Sequence, residues 1–304
     1  MKKEVKWQFI KMMVIINLAM IICLSMAACK SSDDSGDIAI TIDITIDMVQ
    51  IPGGSFEMGS NRSYEGPVHT VTLSGFYMGK YEVTQEQWAA VMGSNPSYFT
   101  SSPVSGEVQS KRPVEQVSWY DTLVFCNKLS MAKGLSPAYR ISGSTDPAVW
   151  GTVPTSSNST WDAVVIVADS NGYRLPTEAQ WEYAARGGNG SPESYFLEGY
   201  IAWYSHNSDS KTHEVGKKAP NGLGLYDMIG NVIEMCWDWM GSYSSGAQTD
   251  PTGPLKADSD SRRVGRGGSW SSRDSYGDII SSTIRFSAPP YGSGNNSGFR
   301  LVCP

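Results

Sequence analysis

RLPTEAQWEYAARGG, residues 174–188, is the stretch from which the rest of the chain can be read. Thr177 places a hydroxyl where a helix N-terminus needs an acceptor, Trp181 and Ala185 recur four residues apart, and Gly187-Gly188 stops the helix. Working back from it, Gly134 to Gly172 is rich in Ser, Thr, Pro and Gly and is expected to be a surface excursion with one hairpin around DAVVIVAD, residues 162–169. Before that, Pro113 to Ser118 reads as extended and Trp119 to Lys133 has helical periodicity. Thr84 stands as N-cap to QEQWAAVMG, which ends near Gly93. HTVTLSGFYMGKYEVT alternates as two short strands broken at Gly75, IPGGSFEMGS is punctuated as a turn between strands, and IAITIDITIDMVQIPGG alternates from Ile38 as an entering strand.

The 304 residues are 40% hydrophobic and 18% charged, with 31 Gly and 10 Trp, which describes a loop-rich domain large enough to bury its own core. No internal repeat or second domain is visible. The formal charge is −6; Lys2, Lys3, Lys6 and Lys11 against Glu4 give the first 28 residues +3, so the chain without them carries −9. Such a surface repels nucleic acid, and no basic stripe offsets it.

Residues 1–28 read as a signal peptide. MKKEVKWQFIK is the positive flank, MMVIINLAMIICLSM the apolar stretch and Ala27-Ala28 the small residues before Cys29. A Cys in that place resembles a bacterial lipobox, so Cys29 is the expected lipidation site and 29–45 a polar tether; an ordinary signal peptide or an uncleaved helix are the alternatives. The expected location is the bacterial cell envelope, lipid-anchored, at the outer membrane or cell surface.

PGGSFEMGS, GKYEVTQEQW, VSWYD, RLPTEAQWEYAARGG, NGLGLYDMIGNVIEMCWDW, GRGGSW and GFR follow one another between Met48 and Arg300. In that order they resemble the formylglycine-generating enzyme family, also called the sulfatase-modifying-factor family. The resemblance implies an α+β fold, irregular and loop-rich, related to the C-type lectin fold and spanning residues 46–304. Aligned without a gap, the family's two catalytic cysteines fall on Ser272 and Gly277, and an aromatic of the cleft falls on Ile233. Copper(I) chemistry needs soft sulfur ligands, which a hydroxyl and a hydrogen do not replace, so copper is not expected. Ser269 matches a serine facing the reacting oxygen, but no base partner for it is evident.

The resemblance implies a calcium held by Asp227, the carbonyls of Gly230 and Val232, and Glu234, a hard-oxygen set suited to that ion; the alternative is a turn with a capping Asp and a Glu paired to an Arg. It also implies a disulfide whose first half is Cys126 and whose second half has moved from Leu301 to Cys303. Cys236, between Met235 and Trp237, is expected to be a buried inert thiol. His69, His206 and His213 show no metal-ligand spacing.

Three functions stay open. The first is a lipid-anchored, non-catalytic envelope protein binding a protein or glycan ligand through a C-terminal cleft, with Ser269, Trp270, Arg273, Tyr276, Arg285 and Tyr291 as candidate contacts. The second is a formylglycine-generating oxidoreductase. The third is a structural component of an envelope assembly. A variant of the first rests on Ser271–Ser297, which contains no Lys, Glu, Gln, Met or Trp and resembles the variable region of retroelement-diversified surface proteins.

Overall fold

The computed structural model describes residues 44–190, 198–256, 261–273 and 281–304. Its elements are short because the sequence rarely sustains one period for more than eight residues. Strand β1 (Met48–Ile51) pairs antiparallel with β4 (Phe76–Gly79), and β4 pairs with the C-terminal β12 (Val302–Cys303). The hairpin β2 (Gly54–Met58) and β3 (His69–Leu73) alternates buried and exposed residues, as expected for a sheet with one wet face, and β3 takes β8 (Gln248–Thr249) as a parallel neighbour.

The sheet that matters for the site has four strands in the order β10 (Arg285–Ala288), β9 (Arg263–Arg266), β7 (Ile233–Trp239) and β11 (Ser297–Gly298). Here β7–β9 and β9–β10 are antiparallel and β11 runs parallel to β7. Residues from Ile40 to Pro304 form one compact unit.

Helix α1 (Gln85–Met92) and helix α2 (Trp119–Ala132) both open on capping boxes, Thr84 with Gln87 and Ser118 with Asp121. One apolar cluster gathers around α2, with Trp88, Phe125 and Phe299 in mutual ring contact. The excursion after α2 departs from expectation. Val165–Ile166 of DAVVIVAD forms β6, but its partner is β5 (Tyr139–Arg140), some 25 residues upstream, rather than a local hairpin. Ile141, Trp150, Trp161 (in the short helix α3, Ser159–Asp162) and Val164 are buried in the α2 cluster. The Ser/Pro/Gly composition reports the irregular path; the apolar residues it carries anchor it to the core.

Helix α4 (Glu178–Ala185) is the 174–188 segment, capped by Thr177 with Gln180, and all eight of its residues are buried. A short helix α5 (Glu198–Ile201) follows. A fully buried helix with two glutamates needs internal partners, and these define the centre of the molecule.

Candidate functional site

Glu178 and Glu182 lie four apart on α4 and face arginines from the C-terminal strands. Arg285 donates from Nε and Nη2 to the two carboxylate oxygens of Glu178 at 2.6 and 2.7 Å, and Arg266 bridges Glu178 at 3.1 Å and Glu182 at 2.6 Å. Arg186 closes on Glu182 from the other side. Burial pulls the Glu178 carboxyl upward, but Arg285 and Arg266 outweigh it and hold the group below its usual range. Next to this network, Trp181 Nε1 donates to Glu234 at 2.7 Å, and Arg300 grips the same carboxylate at 2.6 and 2.5 Å. The glutamates of PTEAQWEYAAR with the arginine of RGGSW, and beside them Glu234 with the GFR arginine, form an interior ionic framework of two adjacent clusters.

That framework presents the turn Ser269–Ser272. The Ser269 N–H donates to Ser272 Oγ at 3.0 Å, the Ser272 N–H returns to the Ser269 carbonyl at 3.0 Å, and Ser205 N–H donates to the Ser272 carbonyl at 3.0 Å. Gly267 turns the chain into this loop at φ +86, where a Cβ would stand 2.7 Å from the Met228 carbonyl. Ser269 and Ser272 are both buried. Among the described residues Ser269 Oγ meets the hydroxyl and the N–H of Ser271, at 3.1 and 3.3 Å, and neither is a base. Trp270 is a strut: its N–H donates to the Asn231 carbonyl, Nε1 to the Asn295 carbonyl, and its ring meets Phe99 edge-on at 5.3 Å.

Of the remaining candidate contacts, Arg273, Arg285 and Tyr291 are among the described residues. Arg273 and Tyr291 are exposed, Tyr291 by 37%. Tyr276 and Gly277 fall in 274–280, outside the described residues. Arg285 is engaged at all three nitrogens, the third donating to the Gly241 carbonyl at 2.9 Å, with its guanidinium 4.0 Å from the Tyr243 ring centroid. It lines a separate cavity of about 540 Å³ with His69, Asp238 and Tyr243. There the Asp238 carboxyl is pushed up to about 7 by burial and by Glu178.

On the other face of the four-stranded sheet is a pocket of about 320 Å³, lined by Ile233, Met235, Arg263, Phe286, Pro289 and Asn296 among others. Arg263 lies between two indoles, 3.7 Å from the Trp119 ring centroid and 3.4 Å from that of Trp239. Burial lowers its guanidinium to about 9.

At the expected calcium loop, Asp227, Gly230 and Asn231 all take positive φ (54, 88 and 55), which curls the backbone. A Cβ on Gly230 would stand 2.4 Å from the Trp203 carbonyl. Asp227 Oδ2 accepts the Gly216 N–H at 2.6 Å, while Oδ1 is buried without a partner among the described residues. Burial, with a contribution from Glu234, raises the Asp227 carboxyl to about 6, and burial with Asp227 and Glu234 raises Glu82. Surplus negative charge and an orphaned carboxylate oxygen fit a hard cation. Glu234 fits less freely, since Arg300 and Trp181 already hold both its oxygens. Among the described residues no three His, Cys, Asp or Glu side chains form a metal-holding group; the set in question has two carboxylates and two carbonyls.

The expected pairing of Cys126 with Cys303 is not made: both are free thiols, as is Cys236. Cys126 is sealed in the α2 cluster, whereas Cys303 is half-buried at the end of β12, and Arg174 sits near enough to both to act on each thiol. Burial raises the Cys236 thiol well above its usual range, as befits an inert core residue. His213 sits in the interior. It is buried, stacked on Trp203 at 3.8 Å, with its ring nitrogens 2.8 Å from Glu107 Oε1 and 2.8 Å from the Ser208 carbonyl.

The sulfatase-modifying factor enzyme 1-like domain matches residues 42–303. The chain belongs to this family. Chaperone protein LppX of Paenibacillus barcinonensis is 37% identical over 300 residues, covering 91% of this chain and 94% of that protein. The formylglycine-generating enzyme of Thermomonospora curvata is 31% identical over 299 residues, covering 86% and 94%. Among solved structures, Treponema denticola variable protein 1 superposes with a TM-score of 0.77 at 42% identity, covering 84% of this chain and 94% of its own.

In this chain the ionic framework ties α4 to the C-terminal strands. Sequence reasoning singled out neither Glu178, Glu182 and Glu82 nor Arg263 and Arg266. The available signal was charge at residues 178, 182 and 186 on a helix whose other residues, apart from Gln180, are small or aromatic. A helix with no polar face must bury its charges in pairs.

Proposed function

We propose that this chain is a lipid-anchored cell-envelope member of the sulfatase-modifying-factor family that binds a protein or glycan ligand through its C-terminal face and does not oxidise a substrate. The observation that carries the reading is Ser272. Where the family's first cysteine falls, a hydroxyl is committed to closing a turn on the Ser269 N–H. The three cysteines described lie in or beside the apolar clusters, so the cleft offers copper(I) no thiolate. The relative named a chaperone protein supports a binding role, and an envelope location accords with the lipobox-like Cys29, which lies outside the described residues. No helix among the described residues is long and apolar enough to cross a membrane. Arg273, Tyr276 and Tyr291 are the contacts retained; Arg285 is committed to Glu178.

Calcium belongs to the same reading. Asp227 Oδ1 and the carbonyls of Gly230 and Val232, with Glu234 behind them, would hold it, and its charge would offset the carboxylates around Arg300.

The test is oxygen uptake by the purified protein supplied with copper and a sulfatase-type cysteine-containing peptide. The expected rate equals that of a heat-killed control while a formylglycine-generating relative turns over alongside. Turnover above the control sinks the proposal.

One observation favours a second reading. The 42% identical structure is named a variable protein, and residues 271–297 use only a restricted set of side chains. Diversification of that face by a retroelement accounts for both. A reverse-transcriptase gene beside a near-copy of the 3′ end of this gene is the expected context, and a neighbourhood with neither removes this reading.

A further inference from the structure

The pocket on the β7–β9–β10 face contains one charged residue among those lining it, and that residue has no counter-ion in the pocket. Register aligns Phe286, Gly265 and Met235 across the three strands, and Ala288, Arg263 and Trp239 in the next row. Gly265 has the same pleat orientation as Arg263, and a Cβ there would stand 2.6 Å from Ile233 Cγ2, so the glycine lets Ile233 pack over the strand as a wall of the pocket. Arg263 itself is 3% exposed. Nη1 donates to the Trp237 carbonyl at 2.7 Å, and Nε is buried with no partner among the described residues. The acids nearest it are engaged elsewhere: Asp162 accepts the Tyr120 hydroxyl at 2.6 Å, and Asp238 accepts the Glu178 N–H at 2.8 Å. A buried cation with an unused donor is costly, and a carboxylate is the partner whose geometry a guanidinium fork fits best. The walls beside it, Phe286, Ile233 and Pro289, suit hydrocarbon or an aromatic ring.

We propose that this pocket takes a carboxylate carried on an apolar or aromatic group, with Arg263 as its counter-ion. The proposal rests on the reading of the C-terminal face as a binding face and adds the ligand's chemical class. The carboxylate can belong to a small free acid or to the C-terminus of a polypeptide, and the recognition chemistry is the same. The competing account is that Trp119, Trp239 and the Trp237 carbonyl fully satisfy Arg263, in which case the pocket has no preference for anions.

Calorimetric titration separates them on the intact mature protein. The probes are hydrocinnamate, a short peptide ending in a free C-terminal Phe, and the amide of each. The expected result is binding of at least one acid, about tenfold or more weaker binding of its amide, and loss of the acid's advantage in Arg263→Met. Binding by hydrocinnamate alone identifies a small-acid site, and binding by the peptide alone identifies a chain terminus. Phe286→Ala, which leaves Arg263 in place, weakens both acid and amide and confirms the location if Arg263→Met does not fold. Equal affinity for acid and amide, an acid unaffected by a folded Arg263→Met, or no binding by either acid overturns the proposal. None of these outcomes bears on oxygen uptake, so the non-catalytic reading stands or falls separately.

Discussion

Arg300→Met should be among the most damaging single changes in the molecule. Arg300 is fully buried, bonds both oxygens of Glu234, and donates to the carbonyls of Gly79 and Tyr226 at 3.0 and 2.9 Å. Removing the cation leaves Glu234 uncompensated with Glu82 and Asp227 close by. Breaking one partner of a buried pair costs about 3–5 kcal/mol. Two carbonyls losing their donor add about 1 kcal/mol each. The total, roughly 5–7 kcal/mol, approaches the whole stability of an ordinary domain, so low yield of folded Arg300→Met is itself expected. The informative variant is Glu234→Gln combined with Arg300→Met. Its amide still accepts the Trp181 N–H but carries no charge, so the double variant should recover about 2–3 kcal/mol over Arg300→Met alone. Urea unfolding in EDTA, followed by tryptophan fluorescence, measures all four corners of the cycle. A cost for Arg300→Met below about 2 kcal/mol, or a double variant less stable than Arg300→Met, would show that this ion pair does not hold the interior together.

Asp238 provides a pH test. Its folded carboxyl lies near 7 against an ordinary value of 3.8, so the native state binds the proton more tightly and the group's stabilising contribution, complete below about pH 4, is lost as pH rises to 7. Asp238→Asn keeps an acceptor for the Glu178 N–H, and its stability relative to wild type should grow by about 2–3 kcal/mol between pH 5 and pH 8 in thermal melts; a flat difference would refute the assignment. Calcium at about a hundredfold over its dissociation constant should stabilise the wild type by about 2.7 kcal/mol and leave Asp227→Ala unmoved, whereas an unchanged wild-type melting temperature in a calcium titration removes the ion. If alanine at both Tyr276 and Tyr291 leaves binding to an identified ligand unchanged, the exposed C-terminal face is not where that ligand sits.

Elements with a strong local cause were readable in the chain. Thr84, Ser118 and Thr177 precede helices at α1, α2 and α4, and the break at Gly75 separates β3 from β4. Each depends on neighbours within a few residues. The pairing of Val165–Ile166 with Tyr139–Arg140 was not readable, since two-residue strands carry no period and their partner is set by the tryptophans that pin the excursion. The site divided in the same way. The turn Ser269–Ser272 and the loop at Asp227 could be placed from motifs, because their geometry is local. The direction of Arg285 could not: residues 285 and 286 alternate on one strand, and only the assembled sheet shows that Arg285 meets Glu178 while Phe286 lines the other face. Arg263 gave no signal at all, since an arginine one residue from Arg262 before a glycine-rich loop reads as solvated until three tryptophans surround it.

Copper(I) titration against a competing chelator, on the mature chain and on a Ser272→Cys/Gly277→Cys variant, addresses the claim about Ser272 at its source. The hydroxyl there is closing a backbone turn, so the unaltered protein should leave the metal with the chelator and only the two-cysteine variant should take up one equivalent. One equivalent held by the unaltered protein, and given up on Ser272→Ala, would contradict the account.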